Sequence, residues 1–174
     1  MPPDGWCFEG VDDDQEPGQI WWIQTLAMPA QYYGWTCSVC SLDWVLRATG
    51  IDPRPNLSVY ESRFATCHQI GYTENVNPTW GLMDATGSAL MAVLREYNQP
   101  ATSARLDFYT VYQYAQITTG CMSGANWYHW VALRGVQGDA IWIANSAPGY
   151  KGIYDTLTKA QFDALGPFNV VLLE

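Results

Sequence analysis

Cys37 follows Gln31 by six positions, and His129 is followed sixteen positions later by Asn145. An amide, a thiol, an imidazole and a second amide in that chain order are what thiol-dependent acyl transfer requires. The thiol attacks a carbonyl carbon, the imidazole takes its proton and later protonates the leaving group, and one amide holds the ring in place. The other amide can donate to the oxyanion of the tetrahedral intermediate.

The thiol needs a helix behind it. From Ser38 to Thr49 the apolar residues Val39, Leu42, Val45 and Leu46 recur at helical spacing, and Gly50 and Pro53 stop the run. Cys37 therefore falls at the N-terminal end. There the unpaired backbone N–H groups and the positive end of the dipole lower a thiol pKa and can donate to an oxyanion. Gln31 lies just upstream in the loop Gln31-Tyr-Tyr-Gly-Trp-Thr36, so its amide can fold back beside the thiol. Other readings compete for Cys37. With Cys40 it forms a Cys-x-x-Cys pair, which could bind zinc or act in redox chemistry. However, adjacent Cys67-His68 is a poorly spaced second pair of ligands, and no βαβ unit precedes the motif. Both residues could also be inert packed thiols.

The chain has two histidines. His68 lies beside the apolar stripe of a second predicted helix, whereas His129 enters a predicted strand, Tyr128 to Val136, after the loop Ser123-Gly124-Ala125. A returning strand, Ala140 to Asn145, makes a hairpin. His129, Val131 and Leu133 share one face; Ile141, Ile143 and Asn145 share one face of the partner. The two faces coincide for a three-residue loop at Gln137-Gly138-Asp139, with Val131 opposite Asn145 and Asn145 diagonal to His129. A two-residue loop would separate them unless a bulge restored the register. The alternative is a sheet histidine hydrogen-bonded in the core beside a turn asparagine.

The segments QYYGWTCSVCSLDWVLRATGI and HWVALRGVQGDAIWIANSAPGYKG resemble the Cys and His/Asn regions of papain-like cysteine peptidases. The likeness is nearest to the branch that removes double-glycine leaders from bacteriocins, whose helix runs Cys-Gly-Pro-x-x-Leu-x-x-x-Leu. Cys37, Leu42 and Leu46 fall on that frame; Ser38 and Val39 replace Gly-Pro, and Asn145 stands where many members carry Asp. The resemblance spans roughly residues 31–50 and 128–152. It implies Cys37 as nucleophile, His129 as base and acid, Asn145 as its orienter and Gln31 as oxyanion donor. It also implies a papain-like α+β fold and hydrolysis of a peptide or isopeptide bond, in a leader peptide or in peptidoglycan, as bacterial and bacteriophage enzymes do. No metal or organic cofactor is implied. An inactive peptidase-like binding module and an acyl- or amide-group transferase using the same residues are the alternatives.

The remaining sequence suits that architecture. At 174 residues the chain is long enough for one domain, here residues 20–174, behind an acidic, loosely ordered arm at 1–19. Further helices are expected from Ser58 to Gln69, opened by a capping box, from Asp84 to Tyr97 and from Asp107 to Ile117. Residues 20–28 read as strand or short helix. Lys151 to Tyr154 reads as a short strand, Thr158 to Leu165 as a helix, and Phe168 to Leu173 as a final strand. Helices first and an antiparallel sheet afterwards define an α+β domain. The net charge of −9 argues against nucleic acid or anionic membrane as partners. No run reaches the length of a membrane span and the N-terminus is not a secretory signal, so synthesis in a cytosol, or as one module of a longer chain, is expected. Five cysteines define no disulfide framework. Trp35, Trp127 and Trp130 flank the candidate site in sequence, as walls of a substrate cleft or as core.

Overall fold

The computed structural model describes residues 26–28, 30, 36–51, 86–147 and 155–174. Expectations for the acidic arm, Gln31, Trp35, the helix at 58–69 and the strand at 151–154 lie outside these residues, as does most of 20–28. Leu26, Ala27 and Met28 belong to neither helix nor strand.

Helix α1 (Cys37–Ala48) is followed by α2 (Ser88–Glu96), β1 (Ala101–Leu106), α3 (Phe108–Ala115), β2 (Gly120–Gly124), β3 (Trp130–Gln137) and β4 (Ala140–Ala144). Then come β5 (Thr156–Leu157), α4 (Lys159–Leu165) and β6 (Phe168–Leu173). The strands form a six-stranded sheet in the order β1-β6-β2-β3-β4-β5, with every neighbouring pair antiparallel. None of the helices among the described residues is long and apolar enough to cross a membrane.

Strand alternation sorts the core onto the two faces of this sheet. Trp130 and Ala132 of β3, with Ala144, Cys121 and Val171, pack against Val39, Leu42, Val45 and Leu46 of α1 and Leu90 and Leu94 of α2. Val131 and Leu133, with Ile141, Ile143 and Val170, join Phe108 and Val111 of α3 and Phe162 of α4. Each fully buried aliphatic side chain contributes roughly 1.5–3 kcal/mol relative to exposure. All of α1 except Arg47 is buried, polar Ser38, Ser41 and Asp43 included. Its sequence period shows an apolar stripe, but the helix runs through the interior.

The helix ends follow local chemistry. Asp107 accepts from Thr110 N at 2.8 Å and starts α3 one residue later than its cap. Thr158 and Gln161 form a capping box on α4. Helix α2 begins only at Ser88, after Gly87 in the left-handed region, not at Asp84.

Three strands are absent from the sequence expectation, the two-residue β5 among them. β1 is an edge strand, Ala-Thr-Ser-Ala-Arg-Leu, whose side chains are half-buried or exposed. β2, Gly-Cys-Met-Ser-Gly, is poor in β-formers yet fully buried between β6 and β3. Its glycines are where neighbouring backbone comes closest. A Cβ on Gly120 would lie 2.0 Å from Val171 O, and one on Gly124 2.4 Å from Leu165 O. The position is set by tertiary packing, which propensity does not report.

The β3–β4 hairpin corrects the loop but keeps the face. Gln137 pairs with Ala140, leaving the two-residue loop Gly138-Asp139, whereas Leu133 pairs with Ile143 and Ala132 with Ala144. The register shifts between Leu133 and Gly135. Arg134 is the extra residue, and Gly135 takes φ 152, a conformation costly for any side chain. Beyond this bulge the alignment is the one a three-residue loop would have produced. Arg134 extends between the rings of Trp44 and Trp142 and donates from an Nη to Leu26 O at 2.9 Å. The tip is held on α3 by Tyr112, whose hydroxyl donates to Gly138 O.

Candidate active site

Cys37 is the first residue of α1, and His129 precedes β3 by one residue. The strand starts later than the sequence suggests, because Tyr128 adopts φ 56, which strand geometry does not permit. The two elements are tied through a single residue of β3. Trp130 N donates to Cys37 Sγ at 3.4 Å, and Trp130 O accepts from Ser41 Oγ, one helical turn on, at 3.2 Å. The peptide unit that leaves His129 therefore points its N–H at the sulfur.

His129 and Asn145 come together across the hairpin. His129 Nε2 lies 2.8 Å from Asn145 Oδ1. The same oxygen accepts from Ala147 N at 2.9 Å. The second donor identifies this atom as the amide oxygen, so Nε2 must carry the hydrogen, and in the neutral ring Nδ1 is the basic nitrogen. Trp127 packs its ring edge-on to the imidazole, centroids 5.0 Å apart. The amide at one edge and the indole at its side fix the ring.

Cys37, His129 and Asn145 are each buried, at 5%, 4% and 6% exposure. Burial pushes the Cys37 thiol above its ordinary 9.0, against the pull of backbone N–H donors at Trp130 and Ser38. The depressed thiol pKa expected from the helix end is thus corrected: in this dry position desolvation outweighs the N–H groups. Burial also lowers His129 below 6.5, opposed by its bond to Asn145. Burial thus favours the uncharged form of each side chain, the thiol of Cys37 and the neutral imidazole of His129.

Cys40 is in a disulfide, while Cys37 and Cys121 are free. A Cys37–Cys40 redox or metal-binding pair is not what this structure contains. Among the described residues no three His, Cys, Asp or Glu side chains gather as a metal site. Trp127 is fully buried in the cluster with Phe168, and Trp130 in the cluster with α1. Both are packed in the core, as one of the two readings from sequence had them. Gln31 and Trp35 lie outside the described residues.

Two contributors escaped sequence reading. The Trp130 N–H has no signature, since every non-proline residue carries one. The Ala147 N–H does have one: asparagine two residues before its donor is the pattern of an Asx turn.

The fold defined by a cysteine at the N-terminus of a helix, packed on an antiparallel sheet that carries the histidine, is that of the papain-like cysteine peptidases. The sequence matches no family model and no curated protein. Solved structures of two peptidases are similar to it. A double-glycine-motif protease from an AMS/PCAT transporter, in complex with the leader peptide, is 19% identical over 83% of this chain and 88% of that one, with a TM-score of 0.50. The peptidase domain of Streptococcus ComA, a bi-functional ABC transporter involved in a quorum sensing pathway, is 15% identical over 83% of this chain and 95% of that one, with a TM-score of 0.53. The resemblance read from the Cys37 and His129 segments holds at the level of fold.

Proposed function

We propose that the chain is a papain-like cysteine peptidase that hydrolyses a peptide bond in an extended peptide substrate. Cys37 is the nucleophile, His129 the base and then the acid, Asn145 the orienting amide and Gln31 a side-chain donor to the oxyanion. The observation that carries this reading is the pairing of the His129 Nε2–Asn145 Oδ1 contact with the Trp130 N–H on Cys37 Sγ.

The chemistry follows from the tautomer. With Nε2–H committed to Asn145, Nδ1 takes the thiol proton as Sγ adds to the carbonyl carbon. The oxyanion is met by backbone N–H groups at the start of α1, with the Gln31 amide. The imidazolium then gives its proton to the departing amine, the C–N bond breaks, and a thioester remains. Water, deprotonated by Nδ1, releases the acid and restores the thiol. Asn145 Oδ1 supports the imidazolium at each stage. The steps use no metal or organic cofactor. The structural likeness to a protease solved in complex with a leader peptide favours a peptide over peptidoglycan as substrate.

Iodoacetamide labelling at neutral pH, followed by peptide mapping, tests the site. Cys37 is expected to react faster than Cys121, and His129→Ala is expected to slow it. Cleavage of a synthetic peptide library should vanish in Cys37→Ala. Equal, slow labelling without cleavage would identify a binding module. Products that gain an added amine would instead identify a transferase.

A further inference from the structure

Helix α1 is joined to β3 by directional contacts at two places. At its start, Trp130 N donates to Cys37 Sγ at 3.4 Å and Ser41 Oγ donates to Trp130 O at 3.2 Å. Further along, the Arg134 guanidinium stands 5.5 Å from the centroid of the Trp44 ring and 5.3 Å from that of Trp142. An Nη of Arg134 donates to Leu26 O at 2.9 Å, and Trp44 Nε1 donates to the same oxygen at 3.1 Å. One buried carbonyl thus binds the helix and the strand together. Two ring faces and a carbonyl suit arginine, which is planar and weakly hydrated. The bulge that aligns His129 with Asn145 also supplies Arg134, as its extra residue.

Cys37, Ser41 and Trp44 lie on one stripe of α1, at i, i+4 and i+7. Their partners Trp130 and Arg134 are about 13 Å apart along β3. Apolar packing holds α1 on the sheet, but it is non-directional and does not set where the helix sits along the strand. Two polar anchors do. With the far anchor gone, α1 can pivot about the Ser41–Trp130 bond. Along the axis Trp44 is about 4.5 Å from Ser41 and Cys37 about 6 Å on the other side, so a shift at Trp44 returns at the sulfur slightly enlarged. A misplacement of about 1 Å between reacting groups can cost about 100-fold in rate.

We propose that Arg134 is a positioning residue of the active site: by anchoring Trp44 and Leu26 to β3 it fixes the sulfur of Cys37 relative to the imidazole of His129. The proposal rests on the peptidase reading above. Arg134 touches neither reacting group and acts through the direction of α1.

The test uses the full chain with Arg134→Met, which keeps an apolar stem between the indoles but loses the charge and the donor to Leu26 O. In steady-state cleavage of a peptide that the wild type cuts, kcat is expected to fall about tenfold or more, with KM changed by less than about twofold. In iodoacetamide labelling of Cys37, His129→Ala is expected to slow the wild type clearly and to add little in Arg134→Met, where the imidazole is already out of line. An arginine that serves folding alone would lower the melting temperature but leave kcat and the His129 dependence unchanged well below it. That result overturns the assignment while leaving the peptidase reading standing. If Arg134→Met does not fold, Trp142→Leu removes the half-buried indole beside the guanidinium, and unchanged kcat and His129 dependence in that variant overturn the assignment equally. Wild-type labelling of Cys37 that ignores His129, with no peptide cleaved, overturns both readings.

Discussion

Asn145 presents one oxygen to two donors, His129 Nε2 at 2.8 Å and the N–H of Ala147 at 2.9 Å. The turn that follows β4 thus fixes the amide, and the amide fixes the imidazole. Asn145→Ala removes both bonds. We expect kcat/KM to fall by roughly 10–100-fold, part of what general acid–base catalysis supplies as a whole. Leaving Ala147 N without its acceptor should cost about 1–2 kcal/mol in denaturant unfolding. A stability loss of that size with unchanged turnover would reduce Asn145 to a turn residue.

Asn145→Asp separates acceptor from charge. The carboxylate still accepts from both donors, but it favours imidazolium and raises the His129 pKa. The acid limb of kcat/KM should therefore move to higher pH than in the wild type. An unmoved limb would mean that His129 does not govern it.

For the wild type, burial sets a wide working range. His129 titrates below 6.5 and Cys37 above 9.0. The pH profile should stay flat between those values, falling on the acid side as the imidazole protonates. Stability carries the same signs. The depressed His129 pKa contributes stability in full above 6.5, and this is lost as pH falls through the folded value, because the unfolded chain binds the proton first. The raised Cys37 pKa contributes below 9.0 and is lost as pH rises through its folded value. Thermal melts across pH, in the wild type and in His129→Gln, would show the acid-side slope diminish in the variant.

Ser41 clamps α1 to the first residue of β3, which follows His129, by donating to Trp130 O at 3.2 Å. Ser41→Ala should cost about 0.5–1.5 kcal/mol. It should also lower kcat more than KM is changed, because it loosens the sulfur relative to the imidazole. Steady-state kinetics beside a melting curve checks both. Full turnover in a destabilised variant would show that the clamp serves folding alone.

Gly135 tests the bulge. At φ 152 an added Cβ meets nothing closer than 3.8 Å, so Gly135→Ala carries backbone strain with no steric clash. The expected loss is about 1–3 kcal/mol. If the bulge relaxes to relieve it, the His129–Asn145 register is lost and activity drops further than stability predicts. An alanine variant as stable and active as the wild type would show that the bulge is not under strain.

Much of this protein is legible in its residues. Helical spacing places Cys37 at the start of α1, and Phe168 to Leu173 reads as the strand that β6 is. Side-chain parity puts His129 and Asn145 on one face. These inferences succeed because local chemistry and strand alternation are written in residue order. The three-residue loop failed because a bulge and a shorter loop give the same alignment at the site; parity counts the sum of the two and cannot apportion it.

The rest belongs to the folded chain. Spacing could not reveal that Gly-Cys-Met-Ser-Gly lies at the centre of the sheet, since its place depends on backbone approaching at Val171 and Leu165. Nor could it reveal the direction of the Cys37 shift. A helix end lowers a thiol pKa in water, and only the packing of β3 over α1 removes the water that makes it so. Residue order names the candidate groups; tertiary burial sets the direction in which the Cys37 and His129 pKa values move, because desolvation is a property of what surrounds a side chain.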